Sequence, residues 1–194
     1  MRKFRIRLLI IAIVFILAGL SNAFAQNAIT VSSNELQMDA AKKLVALNLL
    51  KGYDDGTLGL ERPIRRVEFC AVVTRMQGYE GSTKFAGQIP FKDVQKDYWG
   101  YEYIATAYEL KTLSGFPDGT FKPDNQITYG EAVSILVRAM GYAGDVKGEK
   151  WPDNYMEVGS SLGITKNLSI DFNRPVTRGE ISILVSDSLE IELK

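Results

Sequence analysis

The chain contains no histidine and a single cysteine, Cys70. Without histidine, neither a Ser-His-Asp nor a Cys-His catalytic arrangement is available, and no Cys/His cluster exists to hold zinc. One cysteine forms no internal disulfide, so folding must rest on packing. Cys70 lies beside Phe69 and near Val73 in a helical pattern, which reads as a small core residue. A basic excess is missing too, since 23 Lys and Arg face 23 Asp and Glu. Nothing attracts a phosphate backbone at long range, so nucleic acid is a poor partner. The longest apolar run, Leu8 to Leu20, is 13 residues. At about 1.5 Å per residue it falls short of a hydrocarbon core of roughly 30 Å.

That run belongs to a three-zone leader. Arg2, Lys3, Arg5 and Arg7 precede it, and Ala23-Phe24-Ala25 follows with the small-x-small pattern of a cleavage site. Residues 1–25 therefore predict a secretory signal cut before Gln26, with no membrane attachment afterwards. Cleavage removes four of the 23 basic residues and leaves 19 against 23 acidic ones, a net charge of −4 over 169 residues. Any anionic ligand must then be caught by local arginines. A hydrophobic content of 46% suits a globular chain with one core.

An internal repeat organises the rest. Gly52-Tyr53-Asp54-Asp55-Gly56-Thr57 matches Gly115-Phe116-Pro117-Asp118-Gly119-Thr120, and in the same register Glu68 matches Glu131, Arg75 matches Arg138, and Gly78-Tyr79 matches Gly141-Tyr142. A third copy follows: Asp93-Val94, Trp99 and Tyr103 recur as Asp145-Val146, Trp151 and Tyr155. It closes on Val176-Thr177-Arg178-Gly179-Glu180, parallel to Ile127–Glu131 and Ile64–Glu68. Three units thus span residues 29–80, 91–142 and 145–192, with Glu80 to Pro90 as a surface linker.

Each unit reads as helix, loop, helix, giving an all-α fold. Ile104, Ala107, Leu110 and Leu113 mark the first helix of unit two, stopped by Gly115 and Pro117. Val133, Leu136, Val137 and Met140 mark the apolar face of its second helix. The counterparts are Phe69, Val72, Val73 and Met76 in unit one, and Ile181, Leu184, Val185 and Leu189 in unit three. Thr128-x-x-Glu131 and Thr177-x-x-Glu180 are capping boxes. Arg65 replaces the threonine in unit one, which predicts a less satisfied helix start, by about 1 kcal/mol. One helical pair cannot bury its own face, so the three must pack together.

Catalytic and metal-binding alternatives do not fit. Placing Gly56 or Gly119 at the sixth position of an EF-hand loop puts Lys51, Tyr53 and Arg62, or Ser114, Phe116 and Asn125, where carboxylates are required. The Asp-Gly loops instead read as turns, with glycine at positive φ and aspartate bonding local backbone. Glu68, Glu131 and Glu180 are accounted for as caps, and nothing isolates a carboxylate pair for glycoside hydrolysis. The residues imply a non-enzyme with no cofactor and no metal.

Unit two, with Phe91-Lys92-Asp93-Val94, Trp99, Gly115 to Pro123 and Ile127 to Glu131, resembles the S-layer homology (SLH) family, and the resemblance covers essentially all of the chain after residue 25. It implies three repeats packed with pseudo-threefold symmetry around a central helix bundle. It also implies a secreted protein of the cell wall surface, anchored by a secondary cell-wall polysaccharide that binds in grooves between repeats. The sugar recognised in such proteins bears a pyruvate ketal, contacted by the arginine of an Ile-Thr-Arg-Ala-Glu motif. By position these arginines are Arg66 and Arg178, while Tyr129 stands in unit two. An arginine at a first helical turn, beside free amides and the positive end of the dipole, suits a carboxylate. Asp93, Trp99, Asp145, Trp151, Gly56 and Gly119 complete the candidate glycan contacts. Unit one departs from the pattern with Thr30 and Leu36, and unit three lacks the Asp-Gly-Thr loop, so one or two working grooves are expected. The alternative is an assembly protein that contacts other S-layer proteins without binding glycan.

Overall fold

The computed structural model describes residues 33–80 and 88–194. The proposed signal at 1–25, Thr30 and most of the linker fall outside the described residues. Gln37–Lys194 is a compact unit and holds everything that follows. Its described residues form six α-helices: α1 (37–46 within this unit), α2 (Arg66–Met76), α3 (Tyr101–Glu109), α4 (Tyr129–Ala139), α5 (Asp153–Leu162) and α6 (Arg178–Ser188). A 3-10 turn, Tyr142–Asp145, precedes α5. Among the described residues there is no strand, and no helix is long and apolar enough to cross a membrane.

The helices come in three consecutive pairs along the chain, while the closest packing runs between pairs, α3 on α2 and α5 on α4. The first member of each pair ends at a left-handed residue: Asn48 (φ 57°), Lys111 (φ 56°) and Gly163 (φ 86°). There the chain reverses, and the amides just beyond return to a carbonyl of the last turn. Leu49 and Leu50 reach Leu44 at 2.8 and 3.3 Å, Thr112 and Leu113 reach Ala107 at 3.0 and 3.3 Å, and Ile164 reaches Gly159 at 2.9 Å. This corrects the expected length of α3. Leu113 lies outside the helix but is still buried, because the reversal at Lys111 folds it back onto the core.

The second members carry the core. Phe69, Val72 and Val73 of α2, Val133, Leu136 and Val137 of α4, and Ile181, Leu184 and Val185 of α6 are all buried. Gly159 lets α5 approach α4, since a Cβ there would lie 2.6 Å from a Val133 methyl. The capping boxes of α4 and α6 are formed: Thr128 and Thr177 accept the Glu131 and Glu180 amides at 3.3 and 3.2 Å, and each glutamate accepts the threonine amide at 2.9 Å. In α2 half of the box survives, with the Arg65 amide donating to Glu68 at 2.9 Å. An arginine has no acceptor with which to complete the other half.

The remaining first-turn amides are not free. Arg66 and Val67 donate to the Asn125 and Pro123 carbonyls (2.8 and 3.0 Å), Tyr129 and Gly130 to Arg174 and Phe172 (3.0 and 2.9 Å), and Arg178 and Gly179 to Arg62 and Leu60 (2.9 Å each). Each helix head is therefore capped by the loop of the next unit, and the expectation of open amides beside Arg66 and Arg178 is overturned. On the axis a ring of bonds closes. Ile64 donates to Val176 (3.0 Å), Val176 to Ile127 (3.0 Å), and Ile127 to Ile64 (3.2 Å). All three side chains are fully buried.

Candidate functional site

Two grooves repeat one construction, each drawing on all three units. The first is a pocket of about 580 Å³. The loop Leu50–Asp54 and the α2 residues Glu68, Val72 and Arg75 form its walls, Arg178 from the head of α6 lies at its base, and Trp99 and Tyr103 border it. The second is a tighter pocket of about 160 Å³. Its walls are Leu113–Phe116 and the α4 residues Glu131, Ile135 and Arg138, with Arg66 from the head of α2 and Trp151. The repeat spacing carries one set of residues onto the other.

The arginines at the helix heads are held from several sides. Arg178 is 4% exposed; its Nε donates to the Leu58 carbonyl at 2.8 Å and an Nη to the Lys51 carbonyl at 2.6 Å. Its guanidinium carbon sits 4.6 Å from the Tyr53 ring centre. Arg66 is 7% exposed and donates to the Ser114 carbonyl at 2.9 Å and to Glu131 at 3.3 Å, with Phe116 and Phe121 each 5.0 Å away. Its Nε is buried with no partner among the described residues. Burial pulls the Arg66 pKa below its ordinary value; Glu131 opposes that pull, and the positive charge of Arg138 adds to it.

The tryptophans stand outward, 52% exposed at Trp99 and 50% at Trp151, so neither is a packing residue of the core. Trp151 donates its Nε1 to Ser134 at 3.1 Å, which fixes the ring against α4. Trp99 lies edge-on to Tyr103, with ring centres 6.4 Å apart. An exposed indole beside polar donors is suited to the apolar face of a sugar ring.

The other sequence candidates lie elsewhere. Both oxygens of Asp93 accept backbone amides, those of Phe121 and Lys122, at 2.8 Å each, so it anchors the loop that caps α2. Asp145 pairs with Lys194 at 2.7 Å and lines neither groove. Gly56 and Gly119 occupy turn tips at φ 78° and 77°, where Asp55 and Asp118 accept the Thr57 and Thr120 amides at 2.9 and 3.0 Å. A Cβ on either glycine would meet nothing within 4 Å, so the backbone angle alone demands glycine.

Tyr129, the counterpart of the two arginines, is 1% exposed and donates its hydroxyl to the Leu168 carbonyl. Seven residues after Glu180, where Arg75 and Arg138 stand in their units, is Asp187. Its Oδ1 accepts from Asn167 at 2.8 Å, its Oδ2 is buried without a partner among the described residues, and burial raises its pKa. This third position holds neither arginine.

In the sequence Arg75 and Arg138 stand only as markers of the repeat. In the structure each faces a tyrosine: Arg75 donates to the Tyr103 hydroxyl at 2.9 Å and Arg138 to the Tyr155 hydroxyl at 3.1 Å, with ring distances of 4.9 and 4.4 Å. The signal was present in the sequence, since an arginine seven residues after Glu68 recurs after Glu131, and a tyrosine follows each tryptophan by four residues.

Comparison with known proteins points the same way. Residues 90–133 match the family model of the S-layer homology domain. A middle cell wall protein of Brevibacillus brevis is 35% identical over 87% of this chain, a surface layer protein of Brevibacillus choshinensis 39% over 69%, and a cell surface protein of Thermoanaerobacter kivui 30% over 79%. The chain spans 16%, 12% and 20% of the lengths of these relatives.

Proposed function

Because the chain belongs to the S-layer homology domain family, we propose that it attaches a secreted protein noncovalently to the surface of a bacterial cell wall. The ligand in this reading is an anionic secondary cell-wall polysaccharide bearing pyruvate ketals, and the chain acts by binding and not by catalysis. One observation carries the reading: two grooves of the same construction each join a buried arginine, a helix arginine and an outward tryptophan from three different units. Guanidinium donors suit a ketal carboxylate, and an indole suits the sugar that bears it. The three units, the signal at residues 1–25 and the individual glycan contacts are part of the same proposal.

Co-sedimentation of the purified chain with protein-free sacculi, before and after acid stripping of the polysaccharide, tests it. Binding that disappears on stripping is the expected result. Equal recovery in the supernatant with both preparations would overturn it.

A second reading, assembly with other envelope proteins, draws on an apolar groove of about 380 Å³ at the opposite end of the central helices, lined by Met76, Met140, Leu189 and Ile191. Retention by bare wall, with no other protein present, separates the two.

A further inference from the structure

The two grooves match in architecture but differ in how their charges are paired. At the head of α4, one oxygen of Glu131 accepts the Thr128 amide, which leaves the other to pair with Arg66 at 3.3 Å. At the head of α2 the threonine is replaced by Arg65, whose guanidinium takes the second oxygen of Glu68 at 3.3 Å. Arg178, the counterpart of Arg66, is thereby left with no ion pair among the described residues, and its donors end on neutral carbonyls.

The helix arginines show the reverse. Glu80 lies 3.2 Å from Arg75 and 2.5 Å from Lys51 and offsets both, while the other Arg75 donors are taken by the Leu49 carbonyl and the Tyr103 hydroxyl. At the spacing that carries Gly52 onto Gly115, Glu80 falls on Ala143. Arg138 accordingly makes no ion pair among the described residues, and the hydrogen bond it does make, to Tyr155, occupies Nε.

A guanidinium already paired offers an anion only the exchange of one carboxylate for another, whereas an unpaired one gains a new charge-assisted bond. Resting on the glycan reading above, we propose that the anionic group of the ligand is held at different places in the two grooves, by Arg178 in the first and by Arg138 in the second, with Arg65 and Glu80 setting the difference. The buried, unpartnered Nε of Arg66 gives the second groove a further donor beside Arg138. Glu80 acts as an internal competitor that keeps Arg75 and Lys51 from the ligand.

The chain has two tryptophans, one per groove, so each groove can be followed alone. Trp99→Phe leaves Trp151 to report the second groove, and Trp151→Phe leaves Trp99 to report the first. The probe is a methyl hexoside carrying a 4,6-pyruvate ketal, with its methyl ester as the uncharged control. In the Trp99→Phe chain, Arg138→Gln is expected to weaken the ketal by about tenfold, the loss of one charge-assisted contact. Arg138→Lys should recover part of the loss, and the ester should bind parent and variant alike. In the Trp151→Phe chain, Glu80→Gln, a change at an exposed side chain, is expected to strengthen the ketal several-fold.

Affinity within twofold of the parent for Arg138→Gln, at an unchanged melting temperature, would overturn the assignment, as would a Glu80→Gln chain that binds no more tightly. Silence of both tryptophans in the parent chains would overturn the glycan reading itself.

Discussion

The amide of Ile64 donates to the carbonyl of Val176 at 3.0 Å, joining two residues 112 positions apart in sequence, and Ile127 completes the ring with both. Three buried apolar side chains thus surround a closed circuit of backbone bonds in which every donor and acceptor is used.

Loss of one member should loosen the whole body. Ile127→Ala removes a fully buried side chain and is expected to cost about 2–5 kcal/mol. Urea unfolding followed separately at Trp99 and Trp151 should give one coincident transition in parent and variant, because the ring ties the units that carry the two reporters.

The caps give a smaller and graded effect. Thr128→Ala and Thr177→Ala each remove an acceptor for a first-turn amide and should cost about 1 kcal/mol. Arg65→Ala leaves the Glu68 half of its box in place and removes two half-exposed ion pairs, to Glu68 and Asp124, each worth little, so its cost should fall below that of either threonine change. Denaturant midpoints at constant slope measure all three.

Asp187 sets a pH dependence. Its folded pKa is raised by burial above the ordinary 3.8, so the native state holds the proton more tightly than the unfolded chain. Stability from this group is greatest in acid, falls as pH rises from about 3.8 through the raised value, and stays low above it. Asp187→Asn should therefore stabilise the chain at pH 7, and the gain should vanish below that window. Melting temperatures from pH 3 to 7 check the sign.

Cys70 should be inert. Its thiol is fully buried and its pKa is pushed up to about 12 by burial. Thiolate is the reactive form, so a disulfide reagent at pH 8 should modify the native chain far more slowly than the chain in guanidinium chloride.

Much of this architecture could be read from the residues. The glutamate, arginine and Gly-Tyr register located α2 and α4, and the apolar sets such as Val133, Leu136 and Val137 found the buried faces of the second helices. The end of α3 was less legible, because the left-handed turn at Lys111 uses a residue with no preference for that angle, while its counterparts are Asn48 and Gly163. The caps supplied by Pro123, Asn125, Phe172, Arg174, Leu60 and Arg62 are backbone carbonyls and leave no trace in side-chain identity. The same holds for the groove. Arg66 and Arg178 could be placed at helix heads, but that Arg66 meets Glu131 while Arg178 ends on the Leu58 and Lys51 carbonyls is fixed by folding, since these partners are distant in sequence.

The ring at Ile64, Ile127 and Val176 also decides how such a chain can change in length. An open stack of repeats ends in an unpaired face and can grow by another unit. Here each of the three donors, on Ile64, Ile127 and Val176, is spent on an acceptor of another, and the ring is closed. A fourth unit would have to break the circuit before joining it, and a chain of two would leave a donor and an acceptor stranded in the core. The number three is therefore a property of the closure, which holds one donor and one acceptor from each of Ile64, Ile127 and Val176.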